Sequence, residues 1–188
     1  DLPGKQVQSG SAMVSGEPEA SPAAPTVGDD YTLTLARIVE TQHQIQVRRL
    51  ELDRALALVA ARTAEIAGAD GAAIAIVDGD NLRYKAAAGA ITQTVGSEIP
   101  LQRSLCRECV RTGRVVRCTD VNSELLSGTE EYQPRGIHAL IAVPIYHADG
   151  IAGSLELYYA GQHAFTEQDV HTCQLMAGLI TEALARNE

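Results

Sequence analysis

Apolar residues are concentrated between His138 and Tyr159, and their pattern predicts two adjacent β-strands. Both arms are largely apolar, which is typical of strands that lie mid-sheet and are covered on both faces. The dipeptide Asp149-Gly150 separates the arms, and Asp-Gly tolerates the positive φ angles of a type I′ turn. The pattern therefore predicts a central β-hairpin with a two-residue turn.

Glu156 stands out in this hairpin because it is a carboxylate among apolar residues. A turn at Asp149-Gly150 pairs residues whose numbers sum to 299, which puts Glu156 and Tyr158 on the same face as Ile141 and Val143. A buried carboxylate needs hydrogen-bonding partners. Two interpretations are open: a strand-edge glutamate that reaches water or an arginine, and a polar anchor for a ligand.

A helical pattern precedes the hairpin and runs from Asp29 to about Ala67, with Gly68 as its stop. Apolar residues recur in it at every seventh position, which is typical of a helix that packs along one stripe. The first half, Thr34 to Leu50, has no obvious cover within the chain, which predicts that it pairs with a second copy. The stripe consists of Ile38, Ile45, Leu52, Val59 and Ile66.

Shorter patterns predict the remaining elements. The terminal helix should begin after Thr166, which forms a capping box with Asp169 while Phe165 packs as a hydrophobic staple. Ser104 should cap a short helix. The other expected elements are strands at 72–77, 82–87, 98–101 and 115–118, a helix at 105–112, and a loop at 121–134 with one short helix near Glu130.

Composition limits the possible partners. The formal net charge is −9 and no basic run is present, which argues against nucleic acid or an anionic membrane as partner. No apolar run reaches transmembrane length, and four cysteines in 188 residues are too few for a disulfide scaffold, which favours a reducing cytoplasm. Residues 1–30 are rich in Gly, Pro, Ser and Ala and predict a flexible linker. Because the first residue is Asp, we expect a fragment or a processed chain.

Three cysteines, Cys106, Cys109 and Cys118, form the densest group of reactive residue types, and Arg103 is near them in sequence. A Cys-x-x-Cys pair at a helix start can have a lowered thiol pKa, so a redox switch is one interpretation. A second interpretation is that the thiols are structural core residues. A third is half of a zinc site, whose other two ligands are missing unless Cys118 and His138 supply them. No nucleophile elbow, His-Glu-x-x-His motif or Walker loop predicts a hydrolase.

The order of these elements resembles the GAF family of small-molecule sensor domains over about residues 50 to 186. The resemblance implies an α+β fold with a central antiparallel sheet of about six strands. The N- and C-terminal helices would lie on one face, and loops plus short helices around a ligand cavity on the other. The matching segments are Ala72–Val77, Cys109–Val116, Thr119–Val121, Gly136–Ile145, Gly153–Leu157 and Phe165–Asp169.

Departures from known relatives narrow the expected activity. Relatives that reduce free methionine sulfoxide are expected to have a cysteine just before the Val-Pro strand, and the stretch Gln133–His138 has none. This departure argues against a reductase. Haem-binding relatives can use a histidine near that strand, where His138 lies. The motifs of cyclic-nucleotide-binding and bilin-binding relatives are not evident.

We therefore expect a non-enzymatic cytoplasmic sensor, with a linker (1–30), a dimerisation helix (31–50) and a sensor domain (51–188). It would bind an unidentified small molecule or sense redox state, and form a homodimer through the helix 34–66 and the C-terminal helix. No catalytic residue, metal or particular cofactor is predicted. The alternatives are a thiol-based redox enzyme or switch and a ligand-less dimerisation module. The candidate ligand-binding residues are Arg103, Cys106, Cys109, Asp120, His138, Glu156 and Tyr158.

Overall fold

A computed structural model describes residues 27–121 and 136–188 of the chain. Residues 27–30 of the predicted linker are helical, whereas its remainder and the helix predicted near Glu130 lie outside the described residues. The elements in chain order are α1 (Val27–Val47), α2 (Leu52–Ala67), β1 (Gly71–Asp78), β2 (Asn81–Gly89), β3 (Glu98–Pro100), α3 (Arg107–Thr112), β4 (Val116–Cys118), β5 (Ala139–His147), β6 (Gly150–Tyr159) and α4 (Glu167–Arg186).

The described strands form a six-stranded sheet in the order β3-β2-β1-β6-β5-β4, and each neighbouring pair is antiparallel. The β5–β6 hairpin lies inside this sheet because β1 flanks β6 and β4 flanks β5. Its central position confirms the prediction from its apolar arms. Strands that are apolar on both faces are stable in the middle of a sheet, where neighbouring layers cover both faces.

Different layers cover the two faces of the sheet. On one face, Ile141 and Leu157 share an apolar core with Val59 of α2 and with Met176 and Ile180 of α4. On the other face, which we call the α3 face, the sheet packs against α3, two 3-10 turns and connecting loops. The α3-face core includes Leu82, Tyr84, Ile91, Leu105, Cys106, Cys109, Val110, Leu140 and Tyr158. This arrangement confirms the predicted α+β fold.

The hairpin turn lies one residue earlier than the sequence predicts. His147 pairs with Gly150, so Ala148 and Asp149 form the two-residue loop, and Ala148 takes the left-handed conformation with φ 52°. A register shift between Ile145 and Tyr146 then changes the pairing, and Glu156 pairs with Ala142 rather than with Val143. Glu156 and Tyr158 therefore share a face with each other, as predicted, but not with Ile141 and Val143. That part of the prediction is wrong, because a shift of one residue moves a strand's side chains to the opposite face relative to its neighbour.

The helical region is also broken where a continuous helix was predicted. It turns at residues 48–51, where Arg49 has φ 48°, and α1 packs back against α2 and α4. Ile38, Thr41 and Ile45 are buried by this packing. The expectations of one helix over 34–66 and of an uncovered first half are wrong, because a seven-residue stripe does not reveal whether its cover comes from the same chain.

Glu182 on α4 fastens α1 to the helical layer. Gln42 Nε2 donates to one of its carboxylate oxygens at 3.1 Å, and Gln46 Nε2 donates to the other at 3.1 Å. These hydrogen bonds hold the pKa of Glu182 below its ordinary value, because they favour the charged form. At the start of α4, Thr166 and Asp169 form the predicted capping box.

No helix in the described ranges is both long enough and apolar enough to cross a lipid bilayer.

Gly153 is required where β6 passes closest to β1. A Cβ at this position would overlap the carbonyl oxygen of Ala75, whereas a Cβ on Gly150 would meet no atom within 4 Å. We predict that Gly153→Ala lowers the free energy of unfolding by about 3 kcal/mol or more, because backbone at the sheet centre cannot yield. Gly150→Ala is the matched control and should change it by under about 0.5 kcal/mol. Urea denaturation measures both, and equal effects of the two variants would contradict the observed packing.

Candidate functional site

Glu156 lies at the centre of the sheet and is 0% exposed. It is paired with Ala142 on β5 and with Ala73 on β1. Both neighbours carry only a methyl side chain, so neither supplies a polar partner for the carboxylate. The local sequence thus places an acid on the α3 face with only methyl groups flanking it.

Three side chains direct hydrogen-bond donors at this carboxylate. Tyr158, two residues along the same face of β6, donates to Oε2 at 2.7 Å. The Sγ of Cys106 lies 2.6 Å from Oε1, and the hydroxyl of Tyr84 on β2 lies 3.5 Å from the same oxygen. We call Tyr84, Cys106, Glu156 and Tyr158 the Glu156 cluster. These donors offset much of the cost of burying the carboxylate, because a buried acid is stable only when its oxygens are hydrogen-bonded.

The thiols at the start of α3 are held in their protonated form. Burial raises the pKa of Cys106 well above its ordinary value, and the nearby Glu156 carboxylate raises it further. Burial and Glu156 also raise the pKa of Cys109 to about 12. The backbone amide of Cys106 donates to Ser104 Oγ at 3.0 Å, which fixes the entry to the helix. A reactive cysteine needs a lowered pKa, so both thiols have the opposite environment.

The other two cysteines are buried as well. Cys118 belongs to the apolar core of the α3 face, together with Cys106 and Cys109. Cys173 lies on α4, in the core between the helices and the sheet, where burial and the Asp169 carboxylate raise its pKa to about 12. Within residues 27–121 and 136–188, no group of three or more His, Cys, Asp or Glu side chains is arranged to hold a metal ion.

Ser154 is a second polar residue in this layer. It lies two residues before Glu156, on the same face of β6, and is 0% exposed. Among the described residues, its hydroxyl has no hydrogen-bond partner. A buried hydroxyl without a partner costs about 1–3 kcal/mol. Among the described residues, Arg83 Nε on β2 is the other buried side-chain polar atom without a partner.

His138 and Asp120 form a pair of their own near the start of β5. His138 Nε2 lies 3.1 Å from Asp120 Oδ1, and Gln162 Nε2 donates to Asp120 Oδ2 at 3.0 Å. Arg103 is exposed at the end of the 3-10 turn Leu101–Arg103. Of the seven predicted residues, the structure therefore brings Cys106, Cys109, Glu156 and Tyr158 together, pairs His138 with Asp120, and leaves Arg103 at the surface.

Sequence reasoning missed Tyr84 and Ser154 as members of this site. A signal for Tyr84 existed, because Leu82 and Tyr84 alternate toward one face of β2 and a buried tyrosine hydroxyl needs a partner. That partner is Glu156, which lies 72 residues further along the chain. Only the strand order β2-β1-β6 brings the two together.

The family of the chain follows from a comparison with known protein families. The family model described as "GAF domain" matches residues 49–185, which is well over half of the sequence. The chain belongs to the GAF domain family. The match begins in the turn before α2 and ends near the end of α4, so it spans the six strands that the structure describes. No curated protein matches the sequence.

Solved structures with the same fold come from different functional contexts. The phycocyanobilin-bound GAF domain of a cyanobacterial phytochrome has a TM-score of 0.70 at 17% identity, covering 82% of this chain and 94% of its own. The GAF domain of a Coxiella burnetii phosphoenolpyruvate-protein phosphotransferase has a TM-score of 0.73 at 19% identity, covering 83% and 95%. The free methionine-R-sulfoxide reductase of Neisseria meningitidis has a TM-score of 0.70 at 18% identity, covering 86% and 94%. At these identities the likeness shows the fold alone.

The raised thiol pKa values predict how stability depends on alkaline pH. The folded-state pKa of Cys109 lies above its unfolded value of 9.0, so its contribution is fully present below pH 9 and is lost as the pH rises towards about 12. The unfolded chain loses this proton first. The free energy of unfolding should therefore fall in this window, and Cys109→Ala should make the decline shallower by up to about 1.4 kcal/mol per pH unit.

Urea denaturation at several pH values between 8 and 11 measures this slope separately from any constant loss of packing energy in the variant. Parallel curves for wild type and Cys109→Ala would contradict the assigned environment.

Proposed function

We propose that this GAF domain is a non-enzymatic cytoplasmic sensor that binds a small molecule on the α3 face of its sheet. Ser154 and the Glu156 cluster would hold the polar end of the ligand, and the surrounding apolar side chains would contact its body. Cys106, Cys109, Glu156 and Tyr158 are the central predicted contacts. Arg103, Asp120 and His138 remain predicted contacts of the same ligand.

This proposal rests on the closeness of two buried polar residues on β6, Ser154 and Glu156. Both side chains are fully buried, lie on the same face of one strand and are separated by a single residue. The Ser154 hydroxyl has no partner among the described residues, while the Glu156 carboxylate accepts from at least two neighbours. A ligand that bonds to this hydroxyl would recover the cost of burying it. Predominantly apolar sites with a few convergent polar groups are typical of small-molecule binding.

The thiol environments favour a sensor over a thiol enzyme. A nucleophilic cysteine acts as the thiolate, and burial together with Glu156 disfavours that form at Cys106 and Cys109. The stretch Gln133–His138 also lacks the cysteine expected of the reductases. The Neisseria reductase is similar in fold at 18% identity, which does not transfer its activity.

The same strand supports a route for the signal. Leu155 and Leu157 alternate with Glu156 and face the helical layer, where they share a core with Met176 and Ile180 of α4. A ligand that moves β6 would therefore press on α4 directly. Large exposed apolar side chains on α1 and α4 offer a surface for the proposed homodimer. They are Leu33, Val39, Val47 and Leu175.

Native mass spectrometry of the freshly purified protein tests the sensor proposal. The native mass should exceed the polypeptide mass by one discrete small-molecule increment, which denaturation releases. Glu156→Gln should reduce the occupied fraction at least about tenfold, because loss of one charged hydrogen bond costs about 1.5–3 kcal/mol. Glu65→Gln is the matched control and should retain the ligand, because Glu65 is exposed and pairs with Arg62 at 3.2 Å.

Circular dichroism verifies that Glu156→Gln is folded, and Tyr158→Phe replaces it if it is not. A wild-type native mass equal to that of the polypeptide alone, or equal ligand occupancy in both glutamate variants, would contradict the proposal.

A further inference from the structure

The turn between α1 and α2 lacks the residues that normally end helices. No glycine or proline occurs between Tyr31 and Ala67, and the turn consists of Arg48, Arg49, Leu50 and Glu51, all good helix formers. Arg49 nevertheless has a left-handed backbone with φ 48°. Such a conformation is strained for a residue with a Cβ, so the turn persists because other contacts hold it.

The seven-residue register passes through this turn unchanged. Ile45, the last stripe residue of α1, and Leu52, the first of α2, keep the same spacing as Val59 and Ile66 further along. The sequence is thus compatible with one continuous helix through residues 48–51. The folded-back arrangement of α1 and α2 and a straight helix would differ only in the conformation of the turn and in what covers α1.

The contacts that hold α1 form a compact and separable surface. Ile38, Thr41 and Ile45 are buried against the helical layer, and Gln42 and Gln46 donate to Glu182 of α4. We call the surface of α2 and α4 that receives α1 the α1 groove. Every copy of the chain carries the same groove and the same α1, so one copy can supply the helix that another copy needs.

Beneath the turn, a pocket of about 270 Å³ lies between Leu52 and the end of α4, lined by Ala183 and Arg186 among others. Arg49, Leu50 and Glu51 line the same pocket, and Leu50 also packs against the helix-facing core. When α1 is folded back on its own chain, it leaves three large apolar side chains exposed, those of Leu33, Val39 and Val47. A second copy placed alongside would offer them apolar cover.

We propose that the α1 groove binds α1 of a second copy, in an exchange that straightens the α1–α2 turn in both chains. This inference deepens the homodimer of the proposed function and rests on it, but it does not depend on the ligand. Short strained hinges favour such exchange, because swapping keeps every contact of the closed form and releases the strain at two hinges. The occupant is the same helix that fills the groove within one chain, so its fit needs no new complementarity.

A two-tag cross-linking experiment tests this exchange. One full-length chain carries Gln42→Cys and a first tag, and the other carries Glu182→Cys and a second tag; both are co-expressed and purified through both tags. Because the side chains of Gln42 and Glu182 lie 3.1 Å apart in the closed contact, a short bis-maleimide should join them. In an exchanged dimer the product is a covalent heterodimer on a denaturing gel.

Controls separate exchange from other forms of pairing. Val39→Cys replaces Gln42→Cys in a matched pair; Val39 is 62% exposed on the outer side of α1, so this pair should give little product. Wild-type chains measure any background from the four native cysteines, which are all buried. Arg49→Gly in both chains relieves the left-handed strain without straightening the turn and should lower the cross-linked yield at least about fivefold.

The outcomes are distinguishable. A 42–182 product that exceeds both controls and falls with Arg49→Gly supports the exchange. Chains that purify through both tags without this product keep the homodimer and overturn the exchange. Failure to purify through both tags overturns the homodimer and the exchange together, while the ligand measurement stands apart. A yield unchanged by Arg49→Gly overturns the role assigned to the strained hinge.

Discussion

The register of the β5–β6 hairpin is the constraint on which the rest of the structure depends. The irregularity between Ile145 and Tyr146 sets which residues of β6 lie beside which residues of β5. With this register, Leu155 and Leu157 join Ile141 in the helix-facing core, while Glu156 and Tyr158 face α3. The sheet can then bury apolar side chains on one face and gather its polar ones on the other.

From that register follows the chemistry of the polar layer. Glu156 is buried between two alanines and receives donors from β2, from β6 and from the start of α3, so one carboxylate ties three separate elements together. The same carboxylate and its burial keep the Cys106 thiol protonated. An acid placed this way is suited to hold a group in position rather than to activate a nucleophile.

Much of the fold could be predicted from local patterns, because strand alternation and the Thr166–Asp169 capping box are local effects. The misplaced hairpin register shows the limit, since a bulge has no signal in an apolar strand. The α1 fold-back was missed because Glu182 lies 140 residues from Gln42 and 136 residues from Gln46, the two residues that it binds. Within the site, the acid and thiols could be recognised by type, but the contribution of Tyr84 depends on strand order.

The most direct test of this account is a crystal structure of the protein as purified, with attention to the surroundings of Ser154 and Glu156. We expect density for a non-protein group within hydrogen-bonding distance of the Ser154 hydroxyl, together with Glu156 on the same face as Tyr158 and Leu140. A Ser154 hydroxyl bonded only to protein groups, with the layer filled by side chains, would contradict the ligand role. A register that turned Glu156 toward the helices would contradict the account as a whole.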